Sequence, residues 1–156
     1  MPDVADNQRI FVNIASYADP ELPRTLKDCL ENARRPENLR FGICWQGDPA
    51  RPVPLESFRS DDRFRFSDHP VEESGGGCWA RNIAQGLWRG EQYTLQIDSH
   101  MKFEPDWDTR LVARPTERAH PFERRRAASC AQQGFDAVPD LLEARVGHGV
   151  RRQHPR

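Results

Sequence analysis

A chain of 156 residues suits one domain, and a formal net charge of −1 argues against a general nucleic-acid or membrane-surface binder. Apolar residues make up 37% and charged residues 30%. Even with glycine the apolar share is only about 43%, below the usual ~45–50%, so part of the chain is expected to be under-packed. The polar start MPDVADNQRI lacks the apolar core of a signal peptide, and no apolar run nears the ~20 residues that span a bilayer. Cysteines 29, 44, 78 and 130 make no CxxC zinc pattern. The expectation is a cytoplasmic chain with reduced thiols.

The elements follow in chain order. Residues 10–15 (IFVNIA) are mostly apolar and predict a buried parallel strand. Asp19, Pro20 and Glu21 suit an N-cap, a first helical position and a positive helix end. A helix is therefore expected over 20–34, with Leu22, Leu26, Cys29, Leu30 and Ala33 on one face and Pro36 as its stop. Residues 39–45 (LRFGICW) predict a second strand, and 47–61 a Pro-rich connection. Residues 64–67 predict a third strand with Phe64 and Phe66 on one face. Ser74-Gly75-Gly76-Gly77 is a turn, 78–87 a short helix, and 93–97 (YTLQI) a strand that delivers Asp98-Ser99-His100. A further short strand is expected at 101–103. This alternation predicts an α/β fold with a mostly parallel sheet. In such sheets ligands sit at the carboxyl ends of strands, and segments 16–21, 74–82 and 98–100 all follow strand ends.

The last part of the chain differs in kind. Residues 1–108 carry 13 Lys and Arg against 19 Asp and Glu, while 109–156 carry 10 Arg, no Lys and 5 acidic residues. Only Val138, Leu141, Leu142 and Val146 suggest a short amphipathic helix there. Arg124-Arg125-Arg126 and the closing RRQHPR suit either an acidic partner or a solvated, disordered tail, and the second reading is preferred.

Asp98-Ser99-His100 is the sharpest chemical feature. On a straight strand, residues i and i+2 face one side, so Asp98 and His100 are placed to reach one divalent ion. A carboxylate and an imidazole suit Mn²⁺ or another borderline cation, with nucleotide diphosphate oxygens as further ligands. Read alone, the tripeptide also fits a polar strand end, with Asp98 capping and His100 exposed; its context favours the metal. Gly75-Gly76-Gly77 opens backbone N–H groups toward an anion, yet it matches neither GxGxxG nor GxxxxGK[ST], and a plain hinge is the better reading. Trp79, Trp88 and Trp107 read as packing rather than acceptor platforms. His120, His148 and His154 are candidate third ligands that nothing in their surroundings separates.

IFVNIASYADPEL, LRFGICWQ, SGGGCWARNIAQGLWRGEQYTLQIDSHMKF and PDWD together resemble an N-acetylglucosaminyltransferase family. That family includes the cytoplasmic hydroxyproline-polypeptide GlcNAc-transferase and bacterial relatives. The likeness runs from about residue 9 to about residue 108, and DSH also recurs in the related polypeptide N-acetylgalactosaminyltransferases. It implies a partial GT-A, Rossmann-like fold, the donor UDP-N-acetylglucosamine, a divalent cation such as Mn²⁺, retention of anomeric configuration, and a hydroxyl acceptor on a protein or glycan. By the same resemblance Asp98 and His100 hold the metal and its diphosphate, and Ser16, Tyr17 and Asp19 lie where uridine docks. Arg81, with Asn82 beside it, approaches nucleotide or diphosphate. Each has an ordinary alternative: Asp19 as a helix cap, Tyr17 as a packed aromatic, Arg81 as a solvated helix residue. No catalytic base is identified.

The implied organisation is a flexible N-terminus over 1–8, a nucleotide-sugar-binding part over 9–112, and an Arg-rich tail over 113–156. The family's chains continue with a further metal ligand, an acceptor site and a closing loop, whereas here the likeness fades within DTRLVAR. The tail is therefore expected to be an out-of-frame or otherwise truncated product. The alternative function is a catalytically inactive nucleotide-binding fragment or interaction protein.

Overall fold

The structure is a computed structural model that describes residues 8–113 and 150–152. Four parallel strands, β1 (Ile10–Tyr17), β2 (Leu39–Gly47), β3 (Phe64–Pro70) and β4 (Tyr93–Asp98), form a sheet in the order β3-β2-β1-β4. Helix α1 (Leu22–Glu31) links β1 to β2, short α2 (Glu56–Arg59) precedes β3, and α3 (Gly77–Gln85) links β3 to β4. Beyond β4 come β5 (Met101–Phe103) and α4 (Trp107–Val112). This is an α/β, Rossmann-like arrangement. Parallel neighbours need crossovers, and crossovers are right-handed. The chain steps from β1 to β2 in one direction and returns from β3 to β4 in the other, so α1 and α3 cover opposite faces of the sheet.

β1 is covered on both faces, which is why its sequence is an apolar run rather than an alternation. Its even positions Ile10, Val12 and Ile14 join Leu39, Phe41, Ile43, Leu95 and Ile97 under Leu22, Leu26 and Cys29 of α1. Its odd positions face α3, where Cys44, Ala80 and Ala84 form a much smaller cluster with Ala15, Trp79 and Ile83 at its edge. Gly42 lies under α3: a Cβ there would sit 2.7 Å from the Ala84 carbonyl oxygen and clash with the edge of the Phe11 ring.

The strands run slightly longer than the sequence predicts, and α1 is shorter than 20–34. It starts at Leu22 with Glu21 at the N-cap position, and Pro23 occupies the first turn, where its missing N–H costs nothing. Asp19 is thus not the N-cap residue, although its Oδ1 accepts the Glu21 N–H at 2.9 Å. The C-terminal exit of α1 is held by buried Asp108, whose two carboxylate oxygens accept the Arg34 and Arg35 N–H groups at 2.8 Å each. The Pro-rich connection contains α2, whose Arg59 lies over the Phe66 ring at 4.4 Å. β5 pairs antiparallel with β6 (Val150–Arg152), so this part of the Arg-rich segment forms a strand. Residues 1–7, the remainder of that segment beyond Ala113, Cys130, the expected helix around Leu141, and His120, His148 and His154 lie outside the described residues.

Candidate functional site

In a sheet ordered β3-β2-β1-β4, the carboxyl ends of β1 and β4 lie side by side, and ligands bind such folds at the carboxyl ends of the strands. β1 and β4 are direct neighbours, with Ala15 opposite Asp98. The turn after β1 and the bend after β4 therefore meet at those ends.

At the end of β1 the chain turns sharply through Ala18, whose φ of 44° is left-handed, a conformation that a residue with a Cβ adopts at a cost of roughly 1–2 kcal/mol. The Ala18 N–H donates to the Gln46 carbonyl at 2.8 Å. This turn leaves Tyr17 59% exposed and brings Asp19 back toward β4. Asp19 Oδ2 accepts the Ser99 hydroxyl at 2.6 Å and lies 3.0 Å from His100 Nδ1. Burial pushes the Asp19 carboxyl up, but the hydrogen bonds from Ser99, the Glu21 N–H and His100 outweigh it and leave it below the ordinary carboxylate range.

β4 ends at Asp98, and Ser99 and His100 form a bend. The two-residue alternation that placed Asp98 and His100 on one side therefore does not extend to His100, because the backbone leaves the strand between them. A different device holds the bend. Thr25, fully buried on α1, donates its hydroxyl to the Ser99 carbonyl at 2.8 Å and accepts the Met101 N–H at 3.0 Å. Asp28 Oδ2 accepts the Phe103 N–H at 2.6 Å. Neither residue was singled out from the sequence. Thr25 sits within the apolar stripe of α1, and a hydroxyl at a core-facing helix position is the signal that marks it.

The expected site residues fall into two groups. Asp19 with His100, and Arg81 with Asp98, form two pairs near the carboxyl ends of β1 and β4. Arg81, from the first turns of α3, lies 3.5 Å from Asp98 Oδ1, and its carbonyl accepts from the buried Asn13 amide at 3.2 Å. Tyr17 stands at the rim, and Asn82 is exposed on α3. Ser16 is separate: it is fully buried, its hydroxyl has no hydrogen-bond partner among the described residues, and its carbonyl accepts from Gln46 at 3.3 Å. The glycine turn precedes α3, with Gly76 at φ 89° and both Gly76 and Gly77 open to solvent.

Among the described residues, no group of three or more His, Cys, Asp or Glu is arranged to hold a metal. A carboxylate and an imidazole, the side chains of Asp98 and His100, are donor types that suit a divalent cation. With Nδ1 directed at Asp19, a neutral His100 keeps its lone pair on Nε2, the arrangement usual for metal-ligating histidines. The two buried cysteines contribute no thiolate. Burial pushes Cys44 up to about 11 and Cys29 well above its ordinary value. A cavity of about 240 Å³ lies at the other end of the sheet, lined by residues that include Gln8, Ile10, Arg35 and Asp108. The Asp108 carboxylate there is already engaged by the backbone.

No helix among the described residues is long and apolar enough to cross a membrane. A family model described as Glycosyltransferase (GlcNAc) matches residues 9–63 and 50–141, so the likeness continues past residue 112 into the Arg-rich segment. No curated protein matches the chain.

Proposed function

The chain belongs to the Glycosyltransferase (GlcNAc) family, and from that premise we propose that it transfers N-acetylglucosamine from UDP-N-acetylglucosamine to a hydroxyl on a protein or glycan, with retention of anomeric configuration and with Mn²⁺ or a similar cation. A nucleotide-sugar donor and an acceptor follow from the family. The particular donor, the cation, the stereochemistry, a cytoplasmic location and a kinship with hydroxyproline-polypeptide transfer are the proposal.

The observation that carries it is the placement of Asp98 at the end of β4 and of the Asp19–His100 pair just beyond it, beside the end of β1, with His100 Nδ1 turned to Asp19 and Nε2 left for a cation. In this reading Asp98 and His100 hold the metal together with diphosphate oxygens. When bound, the cation neutralises the charge that develops on the departing diphosphate. Arg81 adds a fixed positive charge beside Asp98 and, with the cation in place, orients the diphosphate. Tyr17, exposed at the rim, offers a face on which a base stacks. Ser16 is buried, so it supports the turn from beneath.

Titrating UDP with and without Mn²⁺ tests the reading. Wild-type protein binds UDP more tightly with the cation, and Asp98→Ala loses that increment. An unchanged Mn²⁺-dependent affinity in Asp98→Ala would remove Asp98 from the metal site. Donor turnover with UDP-N-acetylglucosamine against other UDP-sugars then checks the sugar.

A further inference from the structure

We infer that Asp19 is a positioning residue that sets the tautomer and orientation of His100, so that Nε2 rather than Nδ1 faces the cation. This inference rests on the reading of His100 as a metal ligand.

The argument begins with what the fold leaves loose. His100 lies two residues past the end of β4, outside the ladder that fixes Asp98, and its side chain is 41% exposed. An imidazole so placed has two usable nitrogens and a freely turning ring. Two contacts remove that freedom. Thr25 pins the backbone on either side of His100 through the Ser99 carbonyl and the Met101 N–H. Asp19 holds the ring through Nδ1 at 3.0 Å, and the same oxygen takes the Ser99 hydroxyl at 2.6 Å. The carboxylate is itself fixed, because its other oxygen accepts the Glu21 N–H and the left-handed turn at Ala18 directs the segment back to β4. Three hydrogen bonds thus occupy the inward-facing acceptor positions of a side chain only 20% exposed.

The bridge also gives the middle residue of the tripeptide a purpose. Ser99 points at Asp19 and orients the acceptor for His100. A carboxylate that accepts the far N–H of a ligating imidazole raises the basicity of the near nitrogen, and losing such a partner typically weakens metal affinity about 10- to 100-fold.

The test uses the full chain with Asp19→Asn, which keeps the volume, and Ser99→Ala as a milder second variant. ¹⁵N-histidine NMR at a pH of about 8, where an ordinary imidazole is neutral, reads the tautomer without any metal, and the loss of one signal in His100→Ala assigns it. The expected result is an Nδ1-protonated His100 in wild type that shifts toward Nε2 protonation in Asp19→Asn. Mn²⁺ affinity in the presence of UDP is expected to fall about 10- to 100-fold in Asp19→Asn and to show no further loss when Asp19→Asn is added to His100→Ala. Equal losses with and without His100 would mean that Asp19 acts directly on the nucleotide, and would overturn the inference while the metal reading stands. An unchanged tautomer in Asp19→Asn would also overturn it. If His100→Ala itself leaves Mn²⁺ affinity intact, the metal reading fails and the positioning role fails with it.

Discussion

The two faces of the sheet are built on different principles. The face under α1 is a continuous apolar core in which Phe41, Ile43, Ile14 and Leu26 are fully buried. The face under α3 has, around the buried Phe11 ring, small and polar groups instead: Gly42, Cys44, Ala80 and Ala84, with buried Asn13 donating to Gln85 at 2.9 Å. Large side chains hold α1 by the apolar area they remove from water. Small ones leave α3 so close over Gly42 that a Cβ there would meet the Ala84 carbonyl oxygen, and polar groups then need partners in the gap. The consequence is a division of labour. The α1 face anchors the fold and, through Thr25 and Asp28, the bend after β4. The α3 face carries polarity along the sheet to the carboxyl end of β4, where Arg81 meets Asp98.

Leu26→Ala is the strongest way to break that contrast. Removing a fully buried side chain from the larger core is expected to cost about 2–5 kcal/mol, seen as a lower denaturant midpoint at an unchanged slope. A loss under about 1 kcal/mol would mean that the α1 face is not the anchor. Gly42→Ala probes the other face. Its new Cβ meets the Ala84 carbonyl oxygen at 2.7 Å and the Phe11 ring, so overpacking of about 1–3 kcal/mol is expected. A neutral Gly42→Ala would show that α3 has room to retreat.

The smallest effect sharpens the same comparison through pH. Glu91, before β4, closes the α3 face at its amino end: its Oε1 accepts from Arg65 at 2.8 Å and its Oε2 accepts the Arg89 N–H at 2.7 Å. Burial pushes the Glu91 carboxyl up, yet these donors outweigh it and hold it below its ordinary 4.5. A carboxyl lowered by folding stabilises above its unfolded value and loses that contribution as pH falls through its folded value. The stability gap between wild type and Glu91→Gln should therefore be full above about pH 5 and close on acidification below about pH 4. A gap constant down to pH 3 would detach the ion pair from the acid response.

Much of the site was legible because its parts are local. A strand that ends in Asp98-Ser99-His100, a turn rich in helix-start residues at 18–21, and a glycine turn before CWARNIAQ can each be read from a few adjacent residues. Those signals place Asp98 at the end of β4 and Arg81 in α3, whereas His100 lies beyond the strand, outside the alternation that joined it to Asp98. Ser16 looked like a site residue because it begins the turn, but strand pairing extends through it to Tyr17 and buries it. Asp19 looked like a cap, and the helix begins two residues later than that role needs.

By itself the sequence determined the α/β class, the apolar face of α1 and the placement of chemical groups after strand ends, since each depends on periodicities of two or 3.6 residues. Only the tertiary structure decided the strand order that makes β1 and β4 neighbours, the sheet face that each helix covers, and the bonds from Asp19 to Ser99 and His100 and from Thr25 to Ser99. Those bonds join residues 74 to 81 positions apart. A hydroxyl or carboxylate carries no mark of a partner that far along the chain, so the crossovers had to bring the groups together before the contacts could exist.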